Sequence, residues 1–206
     1  MRKTLLLYIA LAFAVLYYVG LFVANQTLIL LTKPWPVLLL AVALYPWRTK
    51  YQKIIAIAFV FSALGDLALQ LPGDKFVLGL SLFLIAHMFY IYAFVLRSRR
   101  LAAGALILSL LLGTGIFLVI GKNLGRMLIP VVAYMVVILV MLWRSYAQID
   151  ANQYAKFAFW GALLFVMSDT IIALNRFCCH VPFAQALIML LYWSAQGLIY
   201  VSAREG

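Results

Sequence analysis

The chain has 206 residues, of which 68% are hydrophobic and only 10% charged, with a formal net charge of +11 and a mean hydropathy of +1.11. Soluble domains hold roughly 45–50% apolar and 25% charged residues, so this composition excludes a soluble enzyme and predicts an integral membrane protein. The positive charge sits in short breaks between apolar runs, where it sets topology, so nucleic acid is not an expected partner.

A hydrocarbon core about 30 Å thick takes about 20 apolar residues per spanning helix. Eight such segments are predicted in chain order: 4–24, 27–46, 54–71, 76–96, 101–120, 127–143, 157–174 and 183–202. The expectation is an all-α, polytopic bundle of about eight transmembrane helices forming one transmembrane domain over 1–206. The connections are short, so sequential helices are expected to be antiparallel neighbours. The first segment starts like a signal peptide, but its long apolar run lacks an A-x-A-like exit and reads as a retained helix. Most Lys and Arg residues, among them Arg48, Lys50, Arg97, Arg100, Arg144 and Lys156, fall on one side. Only Lys75, Lys122, Arg126 and Arg176 fall on the other, which predicts cytoplasmic termini in a bacterial inner (cytoplasmic) membrane.

The second segment contains "KPWP", where Pro34 and Pro36 remove backbone donors and predict a broken helix headed by Lys33. Such a break is tolerated where protein or a watery cavity satisfies the freed carbonyls. The third and seventh segments run the same way, and each carries a small residue followed by an acid, Gly65-Asp66 and Ser168-Asp169. These matching dipeptides hint at a parallel four-plus-four duplication. The other acids, Asp74, Asp150 and Glu205, fall in loops or the tail. An Asp at a helix centre costs about 2.5–3.5 kcal/mol on insertion scales, so both intramembrane acids are candidates for function. At about 1.5 Å per residue, both lie roughly 9 Å from the same end, with Lys33 at roughly 10 Å.

In the fourth segment His87 is predicted near mid-membrane, followed by Tyr90 and Phe94 on its face. Tyr192 and Gln196 form an i, i+4 pair in the last segment, a pattern common in helix–helix glue. "GLSLF" has a permissive G-x-S-x form, but Ser81 is read as helix packing. The adjacent Cys178 and Cys179 with His180 make a poor metal site, so no metal is expected.

The stretches "FSALGDLAL", "FVLGLSLFLIAHMFY", "GALLFVMSDTIIALNRFCCHVPFAQALIM" and "YWSAQGLI", with the Lys-Pro of segment two, Tyr134 and "WR" at 143–144, closely resemble the YhhN-like family of integral membrane lysoplasmalogenases. The likeness runs from about residue 33 to 200, and the first segment adds nothing diagnostic. It implies hydrolysis of the vinyl-ether bond of a lysoplasmalogen to a fatty aldehyde and glycerophosphoethanolamine or glycerophosphocholine. The implied partners are a lysophospholipid substrate and membrane lipids, with no cofactor. Family-pattern positions that match are Lys33, Gly65, Asp66, His87, Tyr90, Tyr134, Ser168, Asp169, Asn175, Phe177, Tyr192 and Gln196, and Arg176 falls where a basic residue is usual.

The chemistry agrees with the residues present. Protonation of a vinyl ether at its β-carbon gives an oxocarbenium ion that water captures, which needs an acid, a base and a nearby negative charge. Two carboxyls in one low-dielectric cavity do not both ionise cheaply, so one serves as general acid and the other as base. The preferred assignment makes Asp169 the donor, since its neighbours Phe165, Met167 and Ile172 are apolar, and Asp66 the base, with His87 as a relay or an orienter of Asp66. Lys33, Asn175 and Arg176 are candidates for head-group contacts, and the chain is expected along Phe and Leu surfaces. The alternative from another class is a proton-coupled transporter, since buried Asp, Lys and His with a broken helix also mark ion paths.

Overall fold

A computed structural model describes residues 2–204; Glu205, expected in the tail, lies outside them. The chain is helical, in the order α1 (Arg2–Phe22), α2 (Gln26–Thr32), α3 (Trp35–Ala43), α4 (Lys50–Gln70), α5 (Phe76–Arg97), α6 (Ala103–Ile120), α7 (Leu128–Ala147), α8 (Ala155–Phe177) and α9 (Ala184–Ser202). With α2 and α3 taken together, eight spans among the described residues are long and apolar enough to cross a membrane. This is an integral membrane protein.

Local chemistry sets the helix boundaries. Asn25 caps α2 by accepting from the Leu28 N–H, and Thr49 caps α4 by accepting from the Gln52 N–H. Between α2 and α3 the helix breaks at Lys33-Pro34, as the prolines predict, and the Thr32 hydroxyl donates back to the Leu28 carbonyl at 2.6 Å. At the end of α8 the helix runs further than expected. Asn175, Arg176 and Phe177 are helical, and the N–H groups of Cys178 and Cys179 both close on the Leu174 carbonyl. "LNRF" is therefore the last turn of a helix rather than the start of a loop.

The α4–α5 and α8–α9 hairpins are the most closely packed pairs, and each contributes one intramembrane acid. Glycine permits both approaches. A Cβ on Gly65 would lie 2.7 Å from the Phe83 ring, and one on Gly161 would lie 2.8 Å from the Ala195 carbonyl. The central layer between them is aromatic and fully buried, with Phe59, Tyr90, Phe94 and Phe165.

One expectation of neighbourhood fails. α5 does not pack mainly on α6; it packs on α7, and α6 lies outside α7 against α7 and α8. The cause is residues 98–102, which cross the end of α7 as a strap. Arg144 donates to the carbonyls of Arg100 (2.7 Å) and Ser98 (2.5 Å), Trp143 Nε1 donates to the Leu101 carbonyl, and Ser98 Oγ donates to the Ala147 carbonyl. Arg144, read from sequence as a loop charge, is buried at 4% exposure. This end of the bundle, the basic end, carries Arg48, Arg97 and Arg144.

Candidate functional site: a carboxylate cavity at the end opposite the basic loops

A cavity of about 290 Å³ opens between α1, α4, α8 and α9 at the opposite end of the bundle. Its wall includes Lys33, Asp66, Ser168, Asp169, Asn175 and Tyr192. The proline break turns Lys33 into this wall, Gly65 lets α5 close behind Asp66, and the additional turn of α8 brings Asn175 to its mouth. The shared depth expected of Lys33, Asp66 and Asp169 thus becomes a shared cavity. A larger cleft, about 560 Å³, lies at the basic end among α6, α7 and α8, but neither acid nor histidine lines it.

The two acids have different surroundings. Asp66 is 2% exposed, and its Oδ2 accepts from the Tyr192 hydroxyl at 2.7 Å. Behind it Ser62, Tyr90 and Gln196 form a buried chain, with the Tyr90 hydroxyl donating to Gln196 Oε1 at 2.6 Å. Tyr90 and Gln196 lie off the cavity wall and organise the layer beneath Tyr192. Asp169 is half-buried, and its Oδ2 accepts from the Tyr134 hydroxyl. It lines the polar cavity and also two narrow apolar crevices beyond Tyr134.

His87 is fully buried outside the cavity. Its Nδ1 lies 2.5 Å from the Phe83 carbonyl, which can only accept, so the proton is on Nδ1. Nε2 has no hydrogen-bond partner among the described residues. The ring meets Phe165 at 4.6 Å and Tyr134 at 5.3 Å, both edge to face, which ties His87 to the Asp169 side through Tyr134. Asn175 Oδ1 accepts from the Val181 N–H and so ties the mouth to the α8–α9 connection. Arg176 stands at the rim, off the cavity wall, paired with Asp74 at 2.7 Å and stacked over Phe76. Two hydrogen bonds, from the Phe76 N–H and from Arg176, hold the exposed Asp74 carboxyl below its ordinary range.

Sequence reasoning missed Tyr17. It is fully buried, lines the cavity beside Gln185, and is held by the Trp193 ring at 5.0 Å, while its neighbour Tyr18 donates to the Ala186 carbonyl. An aromatic pair in an apolar helix gives no signal of depth or facing, so nothing in α1 marks Tyr17 before α1 is docked on α9.

Residues 28–203 match the YhhN family. Over 176 residues the chain is 38% identical to human "Lysoplasmalogenase TMEM86B", covering 84% of this chain and 74% of that protein. It is 38% identical over 158 residues to "Lysoplasmalogenase TMEM86A" of Bos taurus, covering 73% and 65%. A "Lysoplasmalogenase" of Mycobacterium bovis is 29% identical over 146 residues, covering 66% of this chain and 54% of that protein. The chain thus spans about two thirds to three quarters of the length of the two mammalian relatives. No solved structure matches it. The matched residues take in both carboxylate helices and every wall residue of the cavity except Tyr17, and this chain belongs to the YhhN family.

Proposed function

We propose that the chain is a lysoplasmalogenase whose two intramembrane carboxyls hydrolyse the vinyl-ether bond of a single-chain plasmalogen. The observation that carries the mechanism is the convergence of Asp66, Asp169 and Lys33 on one cavity, in a chain whose relatives are named lysoplasmalogenases. Lys33 shares the cavity wall with Asp66, which supports Asp66 as the anionic base. Asp169 borders apolar crevices, and Tyr134 occupies only its Oδ2, leaving Oδ1 to carry the transferable proton.

In the first step Asp169 gives its proton to the β-carbon of the vinyl ether. The alkene electron pair forms the new C–H bond, and an oxocarbenium ion develops beside two carboxylates. Water entering from the cavity attacks this cation and passes a proton to Asp66, giving a hemiacetal. Asp66 then protonates the departing glycerol oxygen, while Asp169 takes the hemiacetal hydroxyl proton as the C–O bond breaks. The products are an aldehyde and a glycerophospho-base, and both acids return to their starting states. Preorganised charge at the developing cation supplies the stabilisation. Tyr192 and Tyr134 fix the two carboxyls, His87 positions Tyr134, and Lys33 with Asn175 meets the phosphoglycerol head group.

The basic loops support cytoplasmic termini in a bacterial inner membrane, with the cavity opening on the far side. Cys178 and Cys179, the two cysteines of the chain, are free and exposed at that end. A membrane-impermeant maleimide added to intact cells therefore labels them, and labelling only after lysis reverses the orientation.

The test of function is aldehyde release by purified protein from a panel of lyso vinyl-ether, alkyl-ether and ester lipids. Release from the vinyl ether alone is expected. Proton-dependent uptake into proteoliposomes with no aldehyde formed contradicts the enzyme and favours a transporter.

A further inference from the structure

The two crevices beyond Asp169 share Val131, Tyr134, Asp169 and Ala173, so they are branches of one apolar seam along α7 and α8. One branch adds Phe76, Leu80 and Phe177 from α5 and α8, and the other adds Ile116, Ile138 and Leu139 from α6 and α7. Each holds only about 50 Å³, with Asp169 the one acid on its wall. The first branch also shares Leu69, Phe83, Asp169 and Ile172 with the carboxylate cavity, so these four residues form the partition between a polar chamber and an apolar one.

We propose that this seam is the binding site for the hydrocarbon chain of a single-chain lipid, with its reactive bond held at the partition beside Asp169. The assignment rests on the carboxylate reading above. A lysolipid has a polar head and an apolar chain that meet at the ether linkage. The protein has a cavity with a lysine and two acids, and a seam of aliphatic and aromatic side chains, that meet at Asp169. Superposing the two boundaries puts the head group with Lys33, the linkage at Asp169 and the chain between α7 and α8. No other occupant of the seam matches this continuity, because a bilayer lipid lodged from outside has no need of the carboxyl at its inner end. Because each branch is narrower than a full chain, the seam opens as α6 and α7 give way. α6 is suited to this, since it packs mainly on α7, more sparsely on α8, and leaves Leu108, Leu111 and Leu118 exposed. The seam then sets chain-length preference, and Ala173, one helical turn beyond Asp169 and common to both branches, is the position where a larger side chain obstructs both.

The experiment compares 1-hexadecenyl and 1-hexenyl lysoglycerophosphocholine in wild type and in Ala173→Phe. Filling the seam is expected to lower the long-to-short ratio of kcat/KM by about tenfold or more, as expected when several methylenes lose their pocket. An unchanged ratio, including an equal loss on both substrates, overturns the seam. A second measurement does not depend on turnover: a lyso alkyl-ether analogue with a diazirine at the chain end is photolysed on the wild-type protein. Adducts on α7 and on the Asp169–Phe177 part of α8, competed by unlabelled lysolipid, are expected. Adducts confined to α1 and α9 or scattered over lipid-facing helices overturn it. Should wild type release no aldehyde from either lipid, the carboxylate mechanism fails, while the photolabel still reports on the seam.

Discussion

Buried polar side chains collect at both ends of this bundle, but their partners differ. At the basic end three cationic or amide side chains are spent on backbone: Arg144 holds two strap carbonyls, Gln52 donates to the Ala203 carbonyl, and Arg97 donates to the Ser202 carbonyl. At the opposite end Lys33, Asp66, Asp169 and Tyr192 converge on a cavity, and the acids accept only from tyrosines among the bonds described. Backbone carbonyls freed at a helix end must be satisfied wherever water is scarce, so a polar residue spent on them is structural. A carboxyl aimed into a cavity satisfies no such need, which is the ground on which a chemical role is proposed for it. Burial alone does not separate the two kinds, since Arg144 at 4% and Lys33 at 8% are nearly equally hidden.

Substitutions at the two ends should therefore fail in different ways. The largest effect is expected for Asp66→Asn and Asp169→Asn, each losing about 10²–10⁴-fold in aldehyde release, the span of a general acid or base, without loss of folding. Arg144→Met comes next and breaks the comparison if it touches catalysis. It should lower the melting temperature in detergent through a loss on the order of 2 kcal/mol, the scale of hydrogen bonds to a charged group, with turnover per folded molecule unchanged. Tyr134→Phe and Tyr192→Phe each remove one fixing bond from a carboxyl and should cost about three- to tenfold in kcat, with KM nearly constant. The smallest effect is expected for Asp74→Asn at the exposed rim. Because the folded-state carboxyl of Asp74 titrates below its ordinary value, the stability it lends is present above that ordinary value and is lost only as pH falls through the lowered one. At neutral pH its removal leaves turnover intact and moves the melt little.

Much of the site was legible because acids in spans are costly. Asp66, Asp169 and Lys33 stood out against apolar surroundings, and a rise of 1.5 Å per residue was enough to set them at one depth. The eight spans were equally plain from hydropathy. What the sequence did not disclose depended on lateral packing. Hydropathy fixes depth but not which helices touch, so the strap that moves α6 outside α7 was hidden, and with it the burial of Arg144. Tyr17 was hidden for the same reason, since a tyrosine in a first helix reads as lipid-facing until Trp193 and Ala186 receive the α1 pair. Arg176, whose charge near the mouth suggests a head-group contact, stands at the rim with its guanidinium paired to Asp74 and over Phe76, contacts that its place in the sequence does not announce.

The central claim is that both carboxyls act in one reaction at one cavity. The most direct measurement is aldehyde release from a lyso vinyl-ether lipid by purified wild type, Asp66→Asn and Asp169→Asn, with thermal melts of all three. The account predicts aldehyde from wild type, at least about a hundredfold loss in each variant, and melts that show all three folded. Full activity in both folded variants contradicts it.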